Sequence, residues 1–300
     1  MRTDQRLTEA YLKARVAHFD ENSRYVFMSD CHRGNGNSAD EFTKNQNAYL
    51  HAMDYYYNNG FVYVEAGDGD ELWEHPRFVD IKNAHYEVYE SIRRFHDEKR
   101  LFMLYGNHNI YLKNKDYVRN NYYTYYNDFK QQAHDFLNEL DPCESLLLVN
   151  RKTGQEILTL HGHQGDLSND QFWFFSMLSL KYFWRHLHSF GFTNPSSPVR
   201  NISKRHRIEK NYVKWIDKHK RMLICGHTHR FKFPRPDELP YFNTGCCIYP
   251  TSMTAIELID GNIQIARWRV VVNSEGMLQV TRFVLRGPEP IEKFNLRLEQ

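Results

Sequence analysis

The sequence predicts a layered α/β protein, and three observations carry that prediction. Short apolar runs of strand length recur along its 300 residues. Helical-looking segments separate several of them, and strand patterns crowd together near the C-terminal end. The runs, in order, are Tyr25–Met28, Phe61–Val64, Leu101–Leu104, Leu146–Val149, Ile157–Leu160 and Met222–Ile224. Their shortness and continuous apolar character suit strands buried on both faces. Helices are expected around 42–58, 79–99 and 124–140. Late in the chain, 253–259, 262–269 and 278–284 read as strands, the first two joined by an Asp260-Gly261 turn. No internal repeat or low-complexity linker divides the chain.

Composition excludes several classes. Lys plus Arg is 39 and Asp plus Glu is 37, so the formal charge of +2 rules out a histone-like binder while leaving room for a local basic patch. A chain that is 41% hydrophobic and 25% charged is globular rather than disordered. The five cysteines form an odd set without a C-x-x-C pair, which speaks against a disulfide framework or a structural zinc site. Met1 to Asp20 lacks the continuous apolar stretch of a signal peptide. No uncharged run approaches the roughly 18 residues of a membrane span. These features indicate a reduced, cytoplasmic protein, with peripheral contact at the inner membrane surface left open. Two surpluses need an explanation: 16 histidines, and aromatic residues at 15% of the chain.

The informative feature is the polar cluster that closes most of the apolar runs. These clusters are Ser29-Asp30-Cys31-His32, Gly67-Asp68-Gly69-Asp70-Glu71-Leu72-Trp73, Gly106-Asn107-His108-Asn109, His161-Gly162-His163-Gln164-Gly165-Asp166 and Gly226-His227-Thr228-His229. Strand C-terminal ends are where loops converge above a rigid edge. An i, i+2 pair such as Asp30/His32 or His227/His229 points both side chains the same way in an extended segment. Two divalent ions about 3.5–4 Å apart can clamp a phosphoryl group, polarise it and generate a nucleophile at neutral pH. Such a pair takes a bridging carboxylate with mixed oxygen and imidazole ligands, which suit manganese, iron or zinc better than magnesium or calcium.

Taken together, the five segments in this order resemble the calcineurin-like metallophosphoesterase family, over about residues 24 to 260. The resemblance implies a sandwich of two mixed β-sheets flanked by helices, forming one catalytic domain over 1–300 with a helical insertion at 166–220. It implies two divalent transition-metal ions, manganese first, with iron and zinc as alternatives. Asp30, His32 and His229 would hold one ion and Asn107, His161 and His227 the other, with Asp68 bridging. His108 would stabilise the transition state or protonate the leaving oxygen. Glu71 falls where related phosphatases place an acid that orients this histidine. His161, directly at a strand end in a His-Gly pair, is favoured as ligand over His163, which is then left as a supporting or substrate contact. Asn109 departs from the family's usual acid after Gly-Asn-His, a role Glu71 can supply. Arg33 is read either as a phosphate contact or as a surface residue.

Gly67-Asp68-x-x-Glu71-x-Trp73 is similar to a segment of the UDP-2,3-diacylglucosamine diphosphatase branch, and so is Leu223 to Arg230. The chain departs from that branch at Gly106-Asn107-His108-Asn109 and at His161-Gly162-His163. The expected activity is hydrolysis of a phosphodiester or pyrophosphate, extending to a UDP-sugar-lipid. The alternatives are a phosphomonoesterase such as a Ser/Thr protein phosphatase, a nuclease, and a non-catalytic scaffold. A scaffold has no need of seven ligands and His108.

The insertion is distinctive. Nine of the 21 residues from Phe172 to Phe192 are aromatic, and Arg200 to Arg221 holds nine Lys and Arg against Glu209 and Asp217. That basic segment is +7, leaving −5 for the rest of the chain. Three readings remain: a lid over an anionic phosphorylated substrate with an apolar, lipid-linked part, a packing or homodimer element, and a nucleic-acid surface. The near-neutral chain as a whole speaks against nucleic acid.

Overall fold

The computed structural model describes residues 3–127, 131–166, 170 and 201–296. Two mixed sheets pack face to face, as the resemblance implied. In the first, strands β2 (Arg24–Met28), β3 (Val62–Ala66) and β4 (Leu101–Leu104) run parallel. Strands β11 (Ser252–Ile259), β12 (Asn262–Val272) and β13 (Leu278–Pro290) extend it antiparallel, giving the order β13-β12-β11-β2-β3-β4. The second has the order β1-β7-β8-β9-β10, from β1 (Arg15–Phe19), β7 (Ser145–Asn150), β8 (Glu156–Leu160), β9 (Met222–Cys225) and β10 (Tyr241–Asn243).

Burial explains the layers. Phe27, Val64 and Leu104 of one sheet meet Leu148, Ile157 and Ile224 of the other in a single buried cluster. Helices α2 (Gln46–Asn58) and α4 (Tyr86–Asp97) close the outer face of the six-stranded sheet. Helix α4 does so with Val88, Tyr89, Ile92 and Phe95, the i, i+1, i+4, i+7 stripe of an amphipathic helix. Helices α1 (Thr3–Leu12) and α6 (Ile202–His219) close the other outer face, α6 through Ile208, Tyr212, Trp215 and Ile216. The Asp260-Gly261 turn between β11 and β12 has both residues at positive φ, 49° and 75°, which the right-handed twist of a two-residue hairpin requires.

Two helical expectations need correction. The 79–99 helix is two helices, α3 (Phe78–Ala84) and α4, broken at His85, whose ring is drawn to Asp40 and Gln46. Over 124–140 the chain is instead a hairpin of β5 (Thr124–Asn127) and β6 (Gln132–Asp135), preceded by a separate helix α5 (Lys115–Tyr122). The alternation there has period two: Tyr125 turns in and stacks on His134 across the ladder, while Tyr126 is 55% exposed. Aromatic residues favour this half-buried pleated setting over a helix.

Only α6 of the expected insertion's two halves can be described, and it is a packed layer helix capped by Asn201 at its start. The aromatic half, Phe172–Phe192, lies outside the described residues. Among the described residues no helix is long and apolar enough to cross a membrane.

Candidate metal centre

The loops after β2, β3, β4, β8 and β9 meet at one end of the sandwich. Past the strand ends the β2 and β3 loops stay laddered: Asp30 N donates to Gly67 O at 3.1 Å, His32 N to Asp68 O at 2.9 Å, and Glu71 N to Arg33 O at 3.0 Å. In the other sheet, Gly226 N donates to His161 O at 2.8 Å and ties the β8 and β9 loops together.

The backbone is strained where the chemistry would sit. Ten described non-glycine residues have positive φ, and five of them are candidate ligands: Asp30 (53°), His32 (46°), Asp68 (50°), His227 (67°) and His229 (54°). Each such residue costs of order 1–3 kcal/mol, and strain of this kind clusters at functional sites. Gly106 is required by close approach, since a Cβ there would stand 2.2 Å from Asp68 Oδ1.

Two groups of ligand atoms form, each within 4.8 Å: Asp30 with His32 and His229, and Asp68 with His161 and His227. His229 Nε2 lies 3.0 Å from Asp30 Oδ1, and His161 Nε2 lies 2.9 Å from Asp68 Oδ2. His32 Nε2 sits between the carboxylates, 3.8 Å from Asp30 and 3.9 Å from Asp68. Yet Asp30 Oδ1, His161 Nε2, His227 Nε2 and the buried Asn107 Oδ1 have no aligned hydrogen bond. Buried polar atoms that crowd without bonding one another are costly unless something else satisfies them. Their carboxylate, imidazole and amide donors fit a pair of divalent transition-metal ions.

Electrostatics points the same way. Burial opposes ionisation of Asp30, but His229 and His161 hold its carboxyl well below the usual range. Asp68 is likewise held below that range against burial, by His161 and His108. His32 is pushed well above its usual value because Asp30 and Glu71 outweigh its burial, whereas burial lowers His227. The carboxylates stay ionised and draw positive charge into a largely buried site.

A third group sits beside these. Glu71 Oε2 lies 2.8 Å from His32 Nδ1 and Glu71 Oε1 lies 2.7 Å from His108 Nδ1. One carboxylate therefore orients both rings, which is the outer-sphere arrangement that fixes a ligand's tautomer. Asn109 instead accepts from Gly106 N at 2.6 Å, and the acid that meets the His108 ring is Glu71. His163 is in neither group: it is buried, its ring centroid is 5.6 Å from that of His161, and its Nδ1 is unpartnered.

Arg33 is neither a phosphate contact nor a surface residue. It is fully buried, with Nη1 and Nη2 each 2.8 Å from Glu65 and Nε 2.8 Å from Asp70. Asp70 also accepts from Tyr122 at 2.7 Å, and Glu65 from Tyr63 at 3.0 Å. An arginine that meets two acids only in space has no sequence signature, because Arg33 lies in the loop after β2 while Glu65 is in strand β3 and Asp70 in the loop that follows it. Three other contacts escaped the sequence reading. Asp166 Oδ2 lies 3.5 Å from His227 Nε2 and 3.0 Å from Lys204 Nζ, and Ser29 Oγ bonds Asp30.

Fold and site together define a class, the phosphoric ester hydrolases that work with metal ions. A calcineurin-like phosphoesterase profile matches residues 23–231, and the chain belongs to that family. Comparison with curated proteins gives no match. Among solved structures the chain is similar to the cold-active protein-tyrosine phosphatase of a psychrophilic Shewanella species, at 13% identity over 91% of this chain and 83% of that one, with a TM-score of 0.41. It is also similar to Vps29 of Chaetomium thermophilum, at 9% identity over 89% of this chain and 99% of that one, with a TM-score of 0.36.

Proposed function

We propose that the chain hydrolyses a phosphodiester or pyrophosphate bond at a dinuclear metal centre held by Asp30, His32 and His229 on one side and Asn107, His161 and His227 on the other, bridged by Asp68. The observation that carries this reading is the cluster of buried, unbonded donor atoms around Asp30 and Asp68. When bound, a metal pair supplies Lewis-acid polarisation of the phosphoryl group and acidifies water. The protein's own groups do the rest. Asp68 holds the two halves in register, accepting from His108 N at 2.8 Å through one oxygen and facing His161 with the other. Glu71 accepts from His108 Nδ1, which makes Nε2 the atom that passes a proton to the departing oxygen. The neighbouring Trp73 matches the tryptophan of the UDP-2,3-diacylglucosamine diphosphatase segment, which supports a nucleotide-linked pyrophosphate as the first substrate to try.

Elemental analysis of purified protein should find about two transition-metal ions per chain, with manganese tested first. Asp68→Ala should lose metal and activity together. Full turnover in chelator-treated, metal-free protein would falsify the reading. Parallel assays on bis-p-nitrophenyl phosphate, p-nitrophenyl phosphate and a UDP-sugar-lipid analogue then separate diesterase, monoesterase and pyrophosphatase activity.

A further inference from the structure

The buried charges around Arg33 adjoin the metal-site loops along the chain. Asp70 stands two residues past Asp68 and one before Glu71, the carboxylate shared by His32 and His108. The backbone of this segment is fastened to the β2 loop, since Arg33 N donates to Gly69 O at 2.9 Å and Glu71 N to Arg33 O at 3.0 Å. A side chain that pins Asp70 therefore pins both of its acidic neighbours.

Asp70 is held through both of its oxygens. Oδ1 accepts from Arg33 Nε at 2.8 Å and from the Tyr89 hydroxyl, and Oδ2 accepts from the Tyr122 hydroxyl at 2.7 Å. Tyr89 belongs to α4 and Tyr122 to α5, so two separate helices grip one loop carboxylate. The Tyr122 ring is itself stacked on Phe78, with centroids 3.8 Å apart. On its far side Arg33 gives Nη1 and Nη2 to Glu65, which also accepts from Tyr63. Arg33, Glu65, Asp70, Tyr63, Tyr89 and Tyr122 are all fully buried. Gly69 makes room for them, because a Cβ there would collide with the Glu65 carboxylate and the Arg33 guanidinium.

Burying such a network gains little stability over apolar residues of the same volume. It does impose one geometry, since the rigid fork of an arginine and two phenols admit a single placement of the carboxylate between them. Resting on the metal-centre reading, we propose that Asp70 is a positioning residue. Clamped by Arg33, Tyr89 and Tyr122, it sets the Asp68–Glu71 segment so that Asp68 bridges the two ions and Glu71 holds the rings of His32 and His108. Small errors matter here, because a misplacement of about 1 Å costs on the order of 10²-fold in rate.

A matched pair of variants separates positioning from mere stability. Tyr122→Phe removes one hydroxyl from Asp70 and leaves Oδ2 without that donor. Tyr63→Phe removes one from Glu65, beyond Arg33, and from Tyr49 as well. The unfolding temperature of the metal-free protein should fall in both. Calorimetric titration of the metal-stripped full chain with manganese and with zinc should show about tenfold weaker binding in Tyr122→Phe, the low end of what outer-sphere partners contribute. Tyr63→Phe should stay near wild type. At saturating metal, kcat on bis-p-nitrophenyl phosphate should fall in Tyr122→Phe with KM unchanged, since Glu71 orients His108 without holding substrate. Asp70→Asn should enlarge each effect, and Tyr122→Phe decides the matter if that variant does not fold. Metal affinity lost equally in both phenylalanine variants, or in neither, overturns the proposal. A wild-type protein that binds no transition metal defeats the dinuclear reading itself, whereas normal metal uptake with indistinguishable variants defeats this inference alone.

Discussion

The indole of Trp73 lies flat against the imidazole of His108, with ring centroids 4.4 Å apart and planes 28° from parallel. Trp73 is buried, so its own position is fixed by packing and the stack passes that rigidity to a histidine whose side chain is 19% exposed. Trp73→Phe keeps an aromatic face but shortens it. We expect kcat to fall by roughly tenfold with KM little changed, the signature of a group misplaced in the transition state. Steady-state kinetics with unaltered unfolding temperature checks this, and an equal change in kcat and stability would refute it.

Glu71→Gln tests the shared carboxylate. The amide keeps the shape but loses the charge that both His32 and His108 face. Outer-sphere partners of this kind are worth about 10–100-fold in metal affinity or activity. The loss should appear both in metal titration, through His32, and in kcat at saturating metal, through His108. A variant impaired in neither contradicts the arrangement.

Arg33→Met is predicted to destabilise the fold rather than to weaken substrate binding. It leaves Glu65 and Asp70 buried without their counter-charge. Removing one partner of a buried ion pair costs about 3–5 kcal/mol. Urea unfolding measures it, and the double variant Arg33→Met/Glu65→Gln should recover part of the loss because the two sites are coupled. A raised KM at wild-type stability would instead restore a phosphate-contact role.

Asp40 gives a pH dependence. Burial would raise its pKa, but hydrogen bonds from His85 and from the Gly36 and Gly34 backbone hold the carboxyl below its usual value. A depressed folded pKa adds stability that is complete above the unfolded value of about 3.9 and is lost as pH falls toward and through the folded one. Wild type and Asp40→Asn should therefore differ in unfolding free energy at pH 6 to 7 and converge as pH drops below about 4. A gap that stays constant down to pH 3 argues that the hydrogen bonds, not the charge, carry the effect.

Much of the fold was legible. The runs at Tyr25–Met28 and Leu146–Val149 needed no context, because a strand buried on both faces is apolar at every position. The site was legible in its residues, since each cluster comes directly after such a run and its Asp, Asn and His types suit cations. What escaped was whatever depends on partners distant in sequence. Arg33 reads as a phosphate contact or a surface residue until Glu65 and Asp70 are placed around it, and β10 is three residues long, too short to carry a period. The 124–140 segment misled because Tyr, Phe and Leu suit either period, and only the docking of Phe136 and Leu137 against Tyr122 and Tyr123 decides between them.

Asp30, Asp68 and Asn107 stand on the six-stranded sheet, while His161, His227 and His229 stand on the five-stranded one. A cation held by both sets would act as a rivet through the sandwich, so metal supply and durability become one variable. At a free concentration a hundred times its Kd, a ligand that binds only the native state adds about 2.7 kcal/mol. A cell starved of the metal would then lose not only the activity but the protein itself, through faster unfolding and degradation of chains whose two sheets are no longer fastened.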